Sequence, residues 1–226
     1  MTRPVLTGRR VRLEPLDPGR AEELFAAARD GDPGLWRFLP YGPFADVEQM
    51  RAWLEDRAAS EDPAFFAIVD VASGRAAGMA SYLRHAPEHR VIEIGHIWFG
   101  SALQRTPHAT EAIQLLARHA FEAMGVRRLE WKCDADNARS RRAAERFGFT
   151  FEGVFRQHML VKGRNRDTAW YALLDTEWPA ARAAFEAWLD DANFDAEGRQ
   201  RRSLAELRAG HPGSSRHGRA AGPSQP

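Results

Sequence analysis

Two spacings of apolar residues divide this chain into elements, one alternating and one helical. Arg9 to Glu14 alternates with period two, as a half-buried strand does. Asp17-Pro18 offers an N-cap acceptor and a first-turn proline, which opens a helix to about Arg29. Residues 34–44 form an aromatic loop, and Asp46 caps a second helix to about Ala59. Phe65 to Val71 and Ala76 to Leu83 read as strands joined at Ser73-Gly74, and Val91 to Phe99 as a longer third.

The clearest pattern lies over 107–124. Ile113, Leu116, Ala117, Ala120, Phe121 and Met124 make one continuous helical stripe, and Gly125 ends it. Arg127 to Cys133 follows as a strand, Asn137 to Phe147 as a helix closed by Gly148, and 149–162 with 166–174 as a hairpin around residues 163–165. Trp178 to Leu189 is helical. Its apolar residues, among them Trp178, Phe185 and Trp188, suit either the chain's own core or a homodimer seam. A further helix is expected near 198–208. From Gly210 onward nothing is left to pack, which predicts a disordered tail. The resulting division is a domain over 1–195, a helical extension over 196–209 and a tail over 210–226. The element order implies an α/β (α+β) fold, a mixed sheet with helices on both faces.

Composition narrows the partners. The net charge is +1, and nearly all positive charge is arginine, since Lys132 and Lys162 are the only lysines. Without clustered basic residues there is no case for nucleic acid. No apolar run approaches the ~20 residues that span a bilayer, and Met1 to Arg12 lacks the apolar stretch of a secretory signal. One cysteine, Cys133, excludes an internal disulfide, so a reducing cytoplasm is expected. On its strand Cys133 reads as a small hydrophobe.

The strand Val91 to Phe99 runs into Gly100-Ser101-Ala102-Leu103-Gln104-Arg105-Thr106 and a helix starting at Pro107. A helix start leaves amide groups unpaired and carries roughly +0.5 charge, a natural seat for a diphosphate. Thr106 is placed to cap it, Pro107 gives up a donor that had no intrahelical partner, and Arg105 adds a mobile charge.

This stretch resembles the GCN5-related N-acetyltransferase (GNAT) superfamily, in the branch related to ribosomal-protein N-terminal acetyltransferases. The family's diphosphate loop, Gln/Arg-x-x-Gly-x-Gly/Ala, is matched at Gln104 and Ala109, with Pro107 where glycine is usual. Thr110-Glu111-Ala112, Asn137-x-x-Ser140, Arg146-Phe147-Gly148-Phe149, Gly163-Arg164-x-Arg166-Asp167 and Glu177-Trp178 continue the likeness across residues 5–190.

The resemblance implies a largely antiparallel seven-stranded sheet and acetyl-CoA as acyl donor, without a metal. The expected cofactor site comprises Trp98, Phe99, Leu103, Gln104, Arg105, Thr106, His108, Ala109, Thr110, Asn137 and Ser140. Acetyl passes directly to a primary amine of a small molecule or a protein N-terminus. A CoA-binding module without catalysis and a longer acyl donor are the alternatives.

Direct transfer needs a base for the amine, a donor for the carbonyl oxygen and an acid for the thiolate. By resemblance Ser140 lies near the sulfur, and the tyrosine that many relatives use instead is Ala144 here. Glu93 stands where relatives carry a strand glutamate acting through water. His96 has the intrinsic pKa suited to neutral pH, and His158 and solvent are further options. Trp36 and Tyr41, in the loop that by resemblance covers the acceptor pocket, and Arg156 and His158 on the hairpin are the acceptor-binding candidates.

Overall fold

The structure, a computed structural model, describes residues 3–30, 32 and 34–210. One mixed sheet runs through the molecule in the order β1-β2-β3-β4-β5-β6-β8-β7. Its strands are β1 (Leu6–Thr7), β2 (Val11–Pro15), β3 (Ala64–Asp70), β4 (Ala76–Ala86), β5 (Val91–Phe99), β6 (Arg128–Asp134), β7 (Thr150–Val161) and β8 (Arg164–Leu174). Every neighbouring pair is antiparallel except β5–β6. The eighth strand, beyond the seven expected, is the two-residue β1, too short to show a period in sequence.

Helices α1 (Ala21–Arg29) and α2 (Val47–Ala58) cover one face. Their core includes Leu24, Met50, Leu54, Phe65, Met79 and Trp98. On the other face lie α3 (Pro107–Arg118), α4 (Ala138–Phe147), α5 (Trp178–Leu189) and α6 (Leu204–Ala209). They bury Phe66, Ile92, Leu116, Trp131, Tyr171 and Phe185 in one larger cluster. The stripe foreseen over 107–124 is that cluster's spine, and a π-helical turn over His119–Ala123 ends it before Gly125 at φ +65°. The apolar face of α5 docks within the chain, not at a seam: Trp178, Phe185, Trp188 and Leu189 are all buried.

The last helix starts later than expected. Gly198 turns at φ +75°, Asp195 takes the N–H groups of Glu197 and Arg199, and a capping box between Ser203 and Glu206 opens α6. Leu204 and Leu207 then join the main core. The expected tail lies, beyond residue 210, outside the described residues. No described helix is long and apolar enough to cross a membrane.

One buried carboxylate ties the N-terminal strands to α3. Glu111, 4% exposed, accepts from the backbone N–H of Arg9, Arg10 and Val11 at 3.1, 2.6 and 2.8 Å. Gly8 is what lets the chain pass so close, because a Cβ there would lie 2.6 Å from that carboxyl group. Replacing Glu111 by Ala strands three amides at about 1–3 kcal/mol apiece, less where water reaches them. The expected loss is about 2–5 kcal/mol, a fall in melting temperature of roughly 5–15 °C. An unchanged melting curve would refute this account of how β1 and β2 are held.

Candidate active site

The site begins where a ladder stops. β5 and β6 pair from Val91↔Arg128 to Ile94↔Trp131 and no further. Beyond that point β5 carries an extra residue: Met79 faces Trp98 and Ser81 faces Gly95, so three steps on β5 oppose two on β4. The bulge centres on His96, whose φ of +52° lies in the left-handed region. A bulge bends its strand, and here residues 95–99 and 132–134 no longer share a ladder. A cleft between two unpaired strand edges results.

The loop after β5 leads to one mouth of that cleft. The Gly100 N–H holds the Ala77 carbonyl at 2.8 Å, and Leu103 anchors the loop in the core. Gln104 folds back, its Nε2 donating to the Phe99 carbonyl at 2.7 Å. The cap expected from Thr106 does not form, since its hydroxyl donates instead to the Leu103 carbonyl at 2.8 Å. The first turn of α3 therefore has no side-chain cap, and its amides are open to an anion. Exposed Arg105, at φ +60°, adjoins it. This arrangement fits a diphosphate even with Pro107 in the first turn.

Several side chains expected to hold the cofactor point elsewhere. Trp98 is buried in the α1/α2 core, and Thr110 Oγ1 accepts from Arg146 at 3.0 Å. His108 Nε2 lies 3.4 Å from Asp70. For Trp98, Leu103 and Thr110 only the backbone is available, and Ala109 is half-buried in the same turn.

Across the cleft, Asn137 caps α4 by accepting from the Ser140 N–H at 3.1 Å. The Ser140 hydroxyl accepts from the Trp131 indole at 2.9 Å and also meets the thiol of Cys133. The indole thus fixes one lone pair of the hydroxyl and orients it. Cys133 packs in the core as expected, and burial pushes its thiol pKa up.

The other face carries the acceptor candidates. His96 lies between the rings of Tyr41 (5.6 Å) and Phe65 (5.0 Å), its Nδ1 buried without a partner. Burial, then the charges of Arg84, Arg57 and Arg166, push its pKa down to about 4, so the imidazole is neutral at neutral pH. The Tyr41 hydroxyl is also buried and unpaired, and burial alone drives its pKa up. Trp36 packs on Tyr41, Phe44 and Trp98 at 5.2–5.9 Å. Gly42, at φ +63°, leaves room where a Cβ would lie 2.5 Å from that indole.

Glu93 is itself buried and sits in a chain of charges whose ends reach the surface. Its Oε2 receives Arg84 at 2.7 Å and Lys132 at 3.0 Å. Lys132 continues to Glu130 at 2.7 Å and lies 3.8 Å over the Trp170 ring. Arg128 joins Glu130 to Glu152 at 2.7 and 2.8 Å. His158 is exposed, its Nδ1 2.9 Å from Thr168 Oγ1, and burial with Arg166 and Arg84 lowers its pKa. Arg156 is exposed on β7, and its charge helps to hold the Asp167 carboxyl below its usual pKa.

Sequence reasoning missed the second lysine's role. Lys162, at the hairpin tip, donates to the carbonyls of Trp36, Tyr41 and Gly42 at 2.9, 2.9 and 2.6 Å. Its signal was its rarity, for an ammonium offers three donors on a compact centre and a planar guanidinium does not. Trp131, Arg84 and Lys132 were likewise unforeseen.

A family model described as an acetyltransferase (GNAT) domain matches residues 10–150. A GCN5-related N-acetyltransferase from Brucella melitensis has a crystal structure that superposes with a TM-score of 0.89 at 47% identity, covering 92% of this chain and 96% of that one. The ribosomal-protein-serine acetyltransferase of Escherichia coli (strain K12) is 31% identical over 101 residues, 44% of this chain and 56% of its own. The microcin C7 self-immunity acetyltransferase MccE, solved with acetyl-CoA and AMP, shares the fold at 23% identity and a TM-score of 0.64, covering 74% of this chain and 93% of its own.

The Lys162 contacts make a strap between hairpin and aromatic loop. Lys162→Met should cost only about 1 kcal/mol, since water can reach the freed carbonyls, yet it should speed limited proteolysis of the loop over residues 34–44. Lys162→Arg should not restore resistance. Full protection in either variant would show that the strap does not hold the loop.

Proposed function

The chain belongs to the GNAT acetyltransferase family, and from that premise we propose that it transfers acetyl from acetyl-CoA to a primary amine. The observation that carries this reading is the split between β5 and β6, with an uncapped helix start at one mouth and Ser140 across it. MccE, which shares the fold, was solved with acetyl-CoA, and this supports the choice of donor. The relative acting on ribosomal-protein serine supports a protein N-terminus as one acceptor class beside small-molecule amines. One buried, unpaired cysteine is in keeping with a cytoplasmic setting.

The donor supplies an acyl thioester, and the chain's residues arrange its transfer. The open amides of α3 and the charge of Arg105 hold the diphosphate. The free strand edge of residues 95–99 provides backbone N–H groups for the carbonyl oxygen as it gains charge. The amine's lone pair forms the new C–N bond, and the C–S bond breaks with its electrons passing to sulfur. Ser140, oriented by Trp131, donates to that sulfur and passes it a proton through water. His96, neutral and with Nδ1 unpaired, takes the amine's proton in this scheme. Glu93, whose Oε2 is shared by two cations, contributes the negative charge that holds Arg84 and Lys132 in position.

Removing the hydroxyl in Ser140→Ala should lower kcat about 10- to 100-fold, the worth of one hydrogen bond to a charged sulfur. The KM for acetyl-CoA should stay near wild type. Unchanged kcat would remove Ser140 from the chemistry. The folded pKa of His96 is depressed, so its base form is lost only as pH falls toward about 4. The profile of kcat/KM should therefore show no His96 inflection near 6.5. His96→Gln should lower kcat by roughly 10²-fold. An inflection near 6.5 that vanishes in this variant would contradict the depressed value.

A further inference from the structure

One half-buried cation on the acceptor face has no partner among the described residues. Arg84 and Lys132 share Glu93, Arg128 bridges two glutamates, and Lys162 holds three carbonyls. Arg57, the third charge facing His96, also has an unsatisfied Nε but is paired with Asp56. Arg166 on β8 is different. It makes no side-chain hydrogen bond or ion pair with any described residue, and its Nε is buried and unsatisfied. Carboxylates nearby are committed elsewhere: Asp167 takes the Gln157 N–H at 2.8 Å and the Asn165 amide at 2.9 Å. Asp134 takes the Asp136 N–H at 2.9 Å and acts on Arg166 only through space.

Leaving a guanidinium half-buried without an anion is costly, and such unpaired groups concentrate where ligands bind. The position of Arg166 is equally informative. Its charge reaches Cys133, whose thiol meets Ser140, and it reaches His96 and His158 as well. By strand alternation it shares a face of β8 with Thr168, which meets His158 and lies opposite Asp134 where β6 ends, and with Trp170, over which Lys132 sits. A planar fork of N–H donors there matches a carboxylate or phosphate oxygen pair.

We propose that the acceptor carries an oxyanion close to its amine, and that Arg166 receives this group and aims the amine at the cleft. This rests on the acetyltransferase reading and narrows its substrate class. The Arg166 side chain makes no hydrogen bond or ion pair with a described residue that its loss would break, so its replacement should not lower the melting temperature.

The test compares acetyl transfer to free amino acids and to their carboxamides. It also compares phosphoethanolamine with ethanolamine, and peptides beginning with Glu with those beginning with Gln. Wild type should prefer the anionic member of at least one pair by roughly 10²-fold in kcat/KM, and the winning pair distinguishes carboxylate from phosphate. Arg166→Gln should abolish that preference by lowering the anionic rate alone, and Arg166→Lys should restore part of it. Equal use of both members of every pair by wild type, or a preference that survives Arg166→Gln, would overturn the inference and leave acetyl transfer standing. Absence of transfer to every amine would instead refute the acetyltransferase reading. Calorimetry with the free amino acids and phosphoethanolamine then decides the inference separately. Binding lost in Arg166→Gln supports it, and equal heats in both proteins, including none, overturn it.

Discussion

Everything at this site depends on two parallel strands ceasing to pair. Hydrogen bonding holds β5 and β6 together for four residues, and the ladder ends where β5 carries one inserted residue opposite β4. In a closed sheet every interior backbone group has a strand partner, which leaves nothing for a ligand. Here the unpaired edges lie between an open helix start and a serine set by an indole. His96 adopts a backbone conformation that costs a non-glycine residue of order 1–3 kcal/mol. Packing against Tyr41 and Phe65 on either side keeps it there.

Beside the split, charge does what the ladder no longer does. The sequence of pairs from Arg84 through Glu93, Lys132, Glu130 and Arg128 to Glu152 spans β4, β5, β6 and β7. Buried ion pairs rarely add much net stability, because desolvation offsets the attraction. Their use here is positional. The chain of alternating charges balances its own members, and half-buried Arg166 is not among them.

Much of this fold could be read from residue order. The bounds of β5 and α5 follow from apolar spacing and from Pro and Gly punctuation, and α3 from its stripe. The left-handed Gly148 closes α4 where expected. Local pattern was silent on contacts between residues far apart in sequence. The Thr106 hydroxyl has two available partners, and only the loop's tertiary path selects Leu103. Likewise Glu93 reads in sequence as an open strand carboxylate, but Arg84 and Lys132 reach it only once β4 and β6 flank β5. Arg166 was visible as part of a motif, whereas its lack of a partner is a property of the packed molecule.

Lys162 is itself a primary amine, tied to the loop that packs on His96, and burial lowers its pKa, which favours the reactive free base. The three carbonyls that it clasps oppose this by occupying every one of its hydrogens. An acylated side chain would keep one N–H of the three and no charge. A loop caught open during turnover would then lose its latch, so the carbonyl cage also shields the protein from its own chemistry.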